Sequence, residues 1–268
     1  MKRARWLIAV LIVLSAGAGR ANGVEKLYVI DCGWAHAPDQ SRWSPGVNAG
    51  VPIDISDNCY LVHHAKGWLL WDTGFPDAVA AKPEGQLSPT GLTMHRNTTL
   101  ASQLTRIGVK PGDIRYVAIS HTHPDHVGNV ELFPAVPVLI QRAEYEWAFG
   151  QEKKPFKPEH PVTKLEGDMD VFGDGSVLIM STPGHTPGHQ SLLVHLPKTG
   201  WVVLSGDAAH FKSNWDARRV PSMNVDREKT LASMQRLADL VAERHAQLWI
   251  NHDKAQSDQL RHAPDAYE

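Results

Sequence analysis

Ser120-His121-Thr122-His123-Pro124-Asp125-His126-Val127-Gly128-Asn129 sets three imidazoles and a carboxylate within six positions, directly after the apolar run Tyr116-Val117-Ala118-Ile119. A short apolar run bounded by a polar turn reads as a buried strand, and Pro124 argues against a regular helix through the cluster. The four side chains are therefore expected on a strand-to-loop turn, where they can converge on one point. Imidazole and carboxylate suit a borderline cation such as Zn2+. No thiol lies nearby to close a structural zinc site, so the pattern predicts an open, catalytic one.

The same design recurs along the chain. Val177-Leu178-Ile179-Met180 leads into Thr182-Pro183-Gly184-His185-Thr186-Pro187-Gly188-His189, a loop that its Pro and Gly residues make tight. Trp201-Val202-Val203-Leu204 runs to Ser205-Gly206-Asp207, and Leu248-Trp249-Ile250 runs to Asn251-His252-Asp253. Four apolar strands thus each end in a metal-capable side chain, which would gather the donors at one edge of a scaffold.

On these residues the chain resembles the metallo-β-lactamase superfamily. His121, His123, Asp125 and His126 match its HxHxDH motif, and His185, Asp207 and His252 match its later ligand positions in order. Within the superfamily it looks most like the N-acyl homoserine lactonases. That likeness runs through Lys26–Ile30, Asn58–Val62, Trp71-Asp72-Thr73-Gly74, Thr182–Ser191, Gly206-Asp207-Ala208 and Asn251-His252-Asp253.

The resemblance implies an α/β (α+β) fold, a four-layer αββα sandwich, with residues 22–268 as one hydrolase domain. It implies two Zn2+ per chain, or another divalent transition metal: His121, His123 and His185 on one, Asp125, His126 and His252 on the other, Asp207 bridging. The implied reaction opens the lactone ring of an N-acyl homoserine lactone by attack of a hydroxide shared between the ions. Asp125 would orient that hydroxide and pass a proton to the departing oxygen. His189 and Asp72 are expected to support the site rather than to bind metal. Relatives usually carry a tyrosine three residues after the bridging aspartate. Here the position is His210, whose N–H can also donate to a developing oxyanion.

Rival readings are a β-lactamase-like hydrolase, a thioesterase, and a zinc-binding protein without turnover. β-Lactamases with a similar motif generally lack the bridging aspartate. Thioesterases of the glyoxalase II kind carry a C-terminal helical domain, for which the short tail after His252 is not expected to suffice. A full ligand set argues against the inert reading.

Lys2, Arg3 and Arg5 precede the apolar run Trp6–Gly17 and the small-residue segment Ala18-Gly19-Arg20-Ala21. This is expected to be a secretory signal peptide cleaved after Ala21, with Ala18 as the alternative, because the run is shorter than the ~20 residues that span a bilayer. The product would be periplasmic or secreted, with no membrane anchor. Cleavage removes Lys2, Arg3, Arg5 and Arg20 and no acid, so the formal charge of −2 becomes −6. A mildly acidic chain without a basic run gains nothing from counterion release, which excludes nucleic acid as a partner. The expected partner is a small acyl lactone; a homodimer is left open. Cys32 and Cys59 are the only cysteines, and the sequence leaves pairing and two buried thiols equally open.

Strands are expected at Leu27–Asp31, Cys59–His63, Trp68–Trp71 and Val136–Gln141, with three more between Gly175 and Ser205. Helices are expected at Thr98–Ile107, Ala143–Phe149 and about Arg227–His245, the last capped by Asp226 and striped with Leu231, Met234, Leu237, Leu240 and Val241. Gly33–Ser56, with Trp34 and Trp43, and Gln151–Lys164 read as long polar segments. Each is either a functional loop or a solvated one, and the first, if functional, would be a lid over an acyl chain.

Overall fold

A computed structural model describes residues 23–268; the expected signal peptide lies outside them. In the first half, β1 (Val24–Ala37), β2 (Ile53–His64) and β3 (Gly67–Trp71) are followed by β4 (Gln86–Leu87), β5 (Thr93–His95) and α1 (Leu100–Ile107). Next come β6 (Ile114–Ala118), α2 (Pro124–Val127), β7 (Val138–Gln141), α3 (Arg142–Gly150) and β8 (Val162–Leu165). The second half holds β9 (Met169–Asp170), β10 (Val177–Ser181), β11 (Gln190–Leu196) and β12 (Gly200–Leu204). It closes with α4 (Lys212–Asp216), α5 (Arg227–Arg244), β13 (Gln247–Trp249) and α6 (Lys254–Ser257).

The strands form an eight-stranded sheet in the order β4-β5-β1-β2-β3-β6-β7-β8 and a five-stranded sheet in the order β13-β12-β11-β10-β9. Both are mixed: β1, β2 and β3 pair antiparallel while β3, β6, β7 and β8 pair parallel, and only β13 joins its sheet parallel.

Alternation along the strands sorts side chains into layers. Leu27, Val29, Val62, Leu69 and Trp71 of the large sheet meet Val177, Ile179, Leu192, Val194 and Val202 of the small one in a shared core. Ile30, Leu61, Leu70, Val117 and Val138 face the other way, onto Leu100 and Leu104 of α1 and Tyr145 and Phe149 of α3. Leu193 and Val203 pack outward against Leu237 of α5, with Leu240 and Val241 at its edge. The result is the four-layer αββα sandwich. Strands covered on both faces read as continuous apolar runs, which is why β6, β7 and β12 stand out in the sequence.

Several boundaries differ from expectation. β1 runs on to Ala37 and β2 begins at Ile53, so the Gly33–Ser56 segment shrinks to a loop of residues 38–52 between paired strands. Trp43 in that loop is buried with Ala35, Ile55, Phe75, Met94 and Phe211, so it is core rather than a lid. Pro124 does not exclude helix but opens the single turn α2 at its first position, where a missing N–H is no loss. On α5 the buried face is Thr230, Ser233, Met234 and Leu237, with Leu231 only partly covered. The loop at Gly184 sets that face: a Cβ on Gly184 would lie 2.2 Å from the Thr230 nitrogen, and Ser233 Oγ donates to Pro183 O.

Candidate metal centre

The loops that follow β3, β6, β10, β12 and β13 all open on one edge of the sandwich, and they bring together every candidate ligand. His121, His123, His185 and Asp207 form one group of potential donors and Asp125, His126 and His252 a second. Within each, the donor atoms lie within 4.8 Å of one another. Asp207 stands between the groups. Its Oδ2 lies 3.3 Å from His185 Nε2 and 3.7 Å from His121 Nε2, while its Oδ1 lies 3.1 Å from His252 Nε2 and 3.4 Å from His126 Nε2. Asp125 Oδ2 is 3.7 Å from His252 Nε2.

Four of the five imidazoles are oriented through the far nitrogen, the arrangement that fixes a metal-binding histidine. His126 Nδ1 meets Asp72 Oδ2 at 3.0 Å, His185 Nδ1 meets Asn224 Oδ1 at 2.9 Å, and His252 Nδ1 meets the carbonyl of Ser56 at 2.7 Å. His121 Nδ1 meets Ser120 Oγ at 3.1 Å. Asp72 takes a left-handed φ of 57° at the end of β3, which turns its carboxylate back toward β6, where Oδ1 accepts from Ser120 N at 2.6 Å. His189 Nε2 accepts from the backbone N–H of Asp207 at 2.8 Å, so it positions the carboxylate and faces away from the cluster. Both residues thus hold the donors in place.

Glu144 was not singled out in the sequence. Buried at the start of α3, it accepts from Thr122 N and Oγ1 with one oxygen, at 2.9 and 2.7 Å, and from Gly188 N with the other at 3.0 Å. It therefore ties the His121–His123 turn to the His185 loop. The acidic residue in the first turn of α3 is the only sequence signal for it. Asp57 is a second omission: Oδ2 accepts from Phe75 N at 2.8 Å, Oδ1 has no partner, and burial pushes the carboxyl up to about 8.

The electrostatics suit a cation. Burial, reinforced by neighbouring imidazoles, holds His121 and His185 well below the ordinary histidine range, and burial lowers His123 as well. Their nitrogens crowd together, with His123 Nδ1 at 2.9 Å from His121 Nε2 and 3.0 Å from His185 Nε2. Burial resists charging of His126 and His252, yet the carboxylates around them outweigh it. Asp72 and Asp207 raise His126 well above the usual value, and Asp207 lifts His252 to about 9. Burial opposes the Asp207 charge too, but His252, His210 and His126 hold its carboxyl well below the usual carboxylate range. The same carboxylates that favour a proton on these imidazoles would favour a cation in its place. His126 Nε2 and Asp207 Oδ1 are buried without any hydrogen-bond partner, and donor sets of nitrogen and oxygen match divalent transition metals. The residues fit two ions.

His210 is buried beside this cluster, not at its rim. Its Nε2 lies 3.1 Å from Asp207 Oδ2, its ring stacks at 21° on His252, and its Nδ1 has no partner. Next to His123 opens a cavity of about 360 Å³ lined by Pro124, Val127, Trp147, Ala148, Pro155 and Phe156. The second of the two long polar segments, from Gln151, therefore borders the site.

Residues 53–244 match the metallo-beta-lactamase superfamily. The chain is 35% identical over 241 residues to an N-acyl homoserine lactonase of Bacillus cereus, covering 86% of this chain and 94% of that one. It is 33% identical over 256 residues to the N-acyl homoserine lactonase AiiA of Bacillus thuringiensis subsp. kurstaki, covering 90% and 98%. A solved N-acyl homoserine lactone hydrolase with the product N-hexanoyl-L-homoserine at its catalytic metal center superposes with a TM-score of 0.82 at 31% identity, over 91% of this chain and all of that one. The chain belongs to the metallo-beta-lactamase superfamily. Within it, the family is that of the N-acyl homoserine lactonases.

Proposed function

We propose that the protein is a dinuclear metal-dependent lactonase that adds water across the ring ester of N-acyl homoserine lactones, giving N-acyl homoserines. The observation that carries this reading is Asp207, whose two oxygens each face a separate group of donors, in a chain a third identical to lactonases along most of its length. His121, His123 and His185 would hold one ion, Asp125, His126 and His252 the other, with Asp207 shared. Two divalent ions there, Zn2+ by the donor set, would polarise the lactone carbonyl and lower the pKa of water toward neutrality. Asp125, with a side chain one-fifth exposed beside the cluster, would take the proton of the attacking water and return it to the ring oxygen as that bond breaks. The cavity beside His123 would receive the acyl chain. Mass spectrometry of N-hexanoyl homoserine lactone incubated with the metal-loaded protein tests this: the product should gain one water. Release of hexanoic acid with an intact homoserine lactone would mean amide cleavage and overturn the proposal.

His210 would serve the substrate carbonyl. Its Nε2 lies 3.1 Å from Asp207 Oδ2, and with the Asp207 oxygens committed to cations an N–H there would become the donor for a developing oxyanion. His210→Ala should lower kcat/KM by roughly 10- to 100-fold, the lower end of what one oxyanion donor contributes, and His210→Tyr should restore much of it. Equal kcat/KM for wild type and His210→Ala would remove His210 from the mechanism.

The location proposed is the periplasm or the exterior. The basic and apolar start of the chain supports export. So does the bond between Cys32 and Cys59, a pairing typical of oxidising compartments.

A further inference from the structure

Cys32 lies in a bulge of β1, opposite Asp57 of β2, and its disulfide reaches Cys59 two residues further along β2. Gly74 rests directly on this bond. A Cβ on Gly74 would stand 2.3 Å from Cys32 Cβ, 2.8 Å from Cys32 Sγ and 3.0 Å from Cys59 Sγ, and the residue takes a left-handed φ of 67°. Only glycine can make that approach. On its other side, the same turn holds His126 in three ways. Asp72 Oδ2 bonds the ring at Nδ1, and Thr73 donates to the His126 carbonyl through both N and Oγ1, at 2.9 and 3.1 Å. Gly128 N donates to Gly74 O at 3.0 Å. The turn is closed at its far end by Asp57, which accepts from Phe75 N, and by the Arg96 guanidinium, which bonds Phe75 O and lies 3.8 Å from Cys32 Sγ.

We infer that the Cys32–Cys59 disulfide is a positioning element of the metal centre, a seat that fixes the Asp72–Phe75 turn and through it the Asp125, His126 and His252 group. This rests on reading those residues as metal ligands. The coupling is local because the other group has its own supports. Asp72 also reaches Ser120 N, but Glu144 holds the turn between His121 and His123, and Asn224 holds His185. Opening the bond should therefore weaken the second ion's binding and spare the first. Residues that orient metal ligands typically contribute 10- to 100-fold in affinity.

The test uses Co2+ titration of the metal-stripped wild type and of a Cys32→Ala/Cys59→Ala variant, followed by d–d absorption. Wild type should bind two ions; the variant should bind the first with wild-type affinity and the second at least ~10-fold more weakly. A second measurement needs no variant of the cysteines. Both sulfurs are fully buried, so attack by a water-soluble phosphine requires the turn to open. The phosphine takes an oxygen from water to become its oxide as the disulfide accepts two electrons and two protons to become two thiols. Thiol labelling should show this reduction at least ~10-fold slower with Zn2+ loaded than without, because a ligand that requires the closed turn must in turn stabilise it. His252→Ala, incomplete in the second group, should lose that protection. Second-site affinity unchanged in the double variant, equal weakening of both sites, or reduction indifferent to Zn2+ would each overturn the inference. A wild type that binds fewer than two ions would instead refute the metal-centre reading beneath it.

Discussion

Asp207→Asn is expected to retain close to one divalent ion per chain after gel filtration where the wild type retains two, and to lose at least a hundredfold in lactone turnover. The side chain is almost wholly buried, and its two oxygens approach the nitrogens of His121, His126, His185, His210 and His252 at 3.1 to 3.7 Å. An amide keeps the shape but carries no charge, and it turns one of the two oxygens into an N–H donor aimed at the site of a cation. The His121, His123 and His185 group keeps three neutral nitrogens and can still hold its ion. The second group keeps two imidazoles and Asp125, yet loses the shared anion that offsets cation–cation repulsion across the centre. Elemental analysis paired with hydrolysis rates decides the matter. Two ions retained together with wild-type turnover would exclude a bridging role for Asp207.

The ligands of this centre were legible in the sequence because each follows an apolar strand. Burial on both faces makes β6, β10 and β12 continuous hydrophobic runs, and the first polar residues after such a run must lie at a sheet edge. His121, His185 and Asp207 are found in that way, and the spacing of His123, Asp125 and His126 follows from one turn. Their supports were less legible. Asp72 is marked only by the family resemblance of Trp71-Asp72-Thr73-Gly74, since it acts through a left-handed backbone that a non-glycine residue rarely adopts, and Glu144, which acts across 22 and 44 residues of chain separation, is marked by no local pattern. Pairing of Cys32 with Cys59 depends on a bulge between β1 and β2, which sequence spacing cannot give. The continuation of β1 through Gly33 to Ala37 was hidden for the same reason, since the bulge breaks the alternation on which strand recognition relies.

Asp125→Asn separates metal binding from proton transfer, and it is expected to leave the metal content near two while kcat falls by roughly 10²- to 10⁴-fold, the range for loss of a general acid–base group. Asp125 and His123 are the two donors that stay partly exposed. His121, His126, His185, Asp207 and His252 are all buried, whereas the Asp125 side chain stays one-fifth open, on the α2 turn that also lines the cavity beside His123. It is the more exposed of the two carboxylates of the centre. The asparagine side chain retains an oxygen that can face a cation from the same position, so the second ion should be weakened rather than lost. What asparagine cannot do is accept a proton from water as the carbonyl is attacked and give it up to the alkoxide of the opening ring. Because that exchange takes place in the transition state and not in substrate binding, the loss should fall on kcat with KM little changed. Steady-state kinetics on N-hexanoyl homoserine lactone, with metal content measured on the same sample, distinguishes the cases. A kcat within tenfold of wild type at full metal content would assign the proton to another group, and a metal content near one would make Asp125 a ligand first and a proton carrier second.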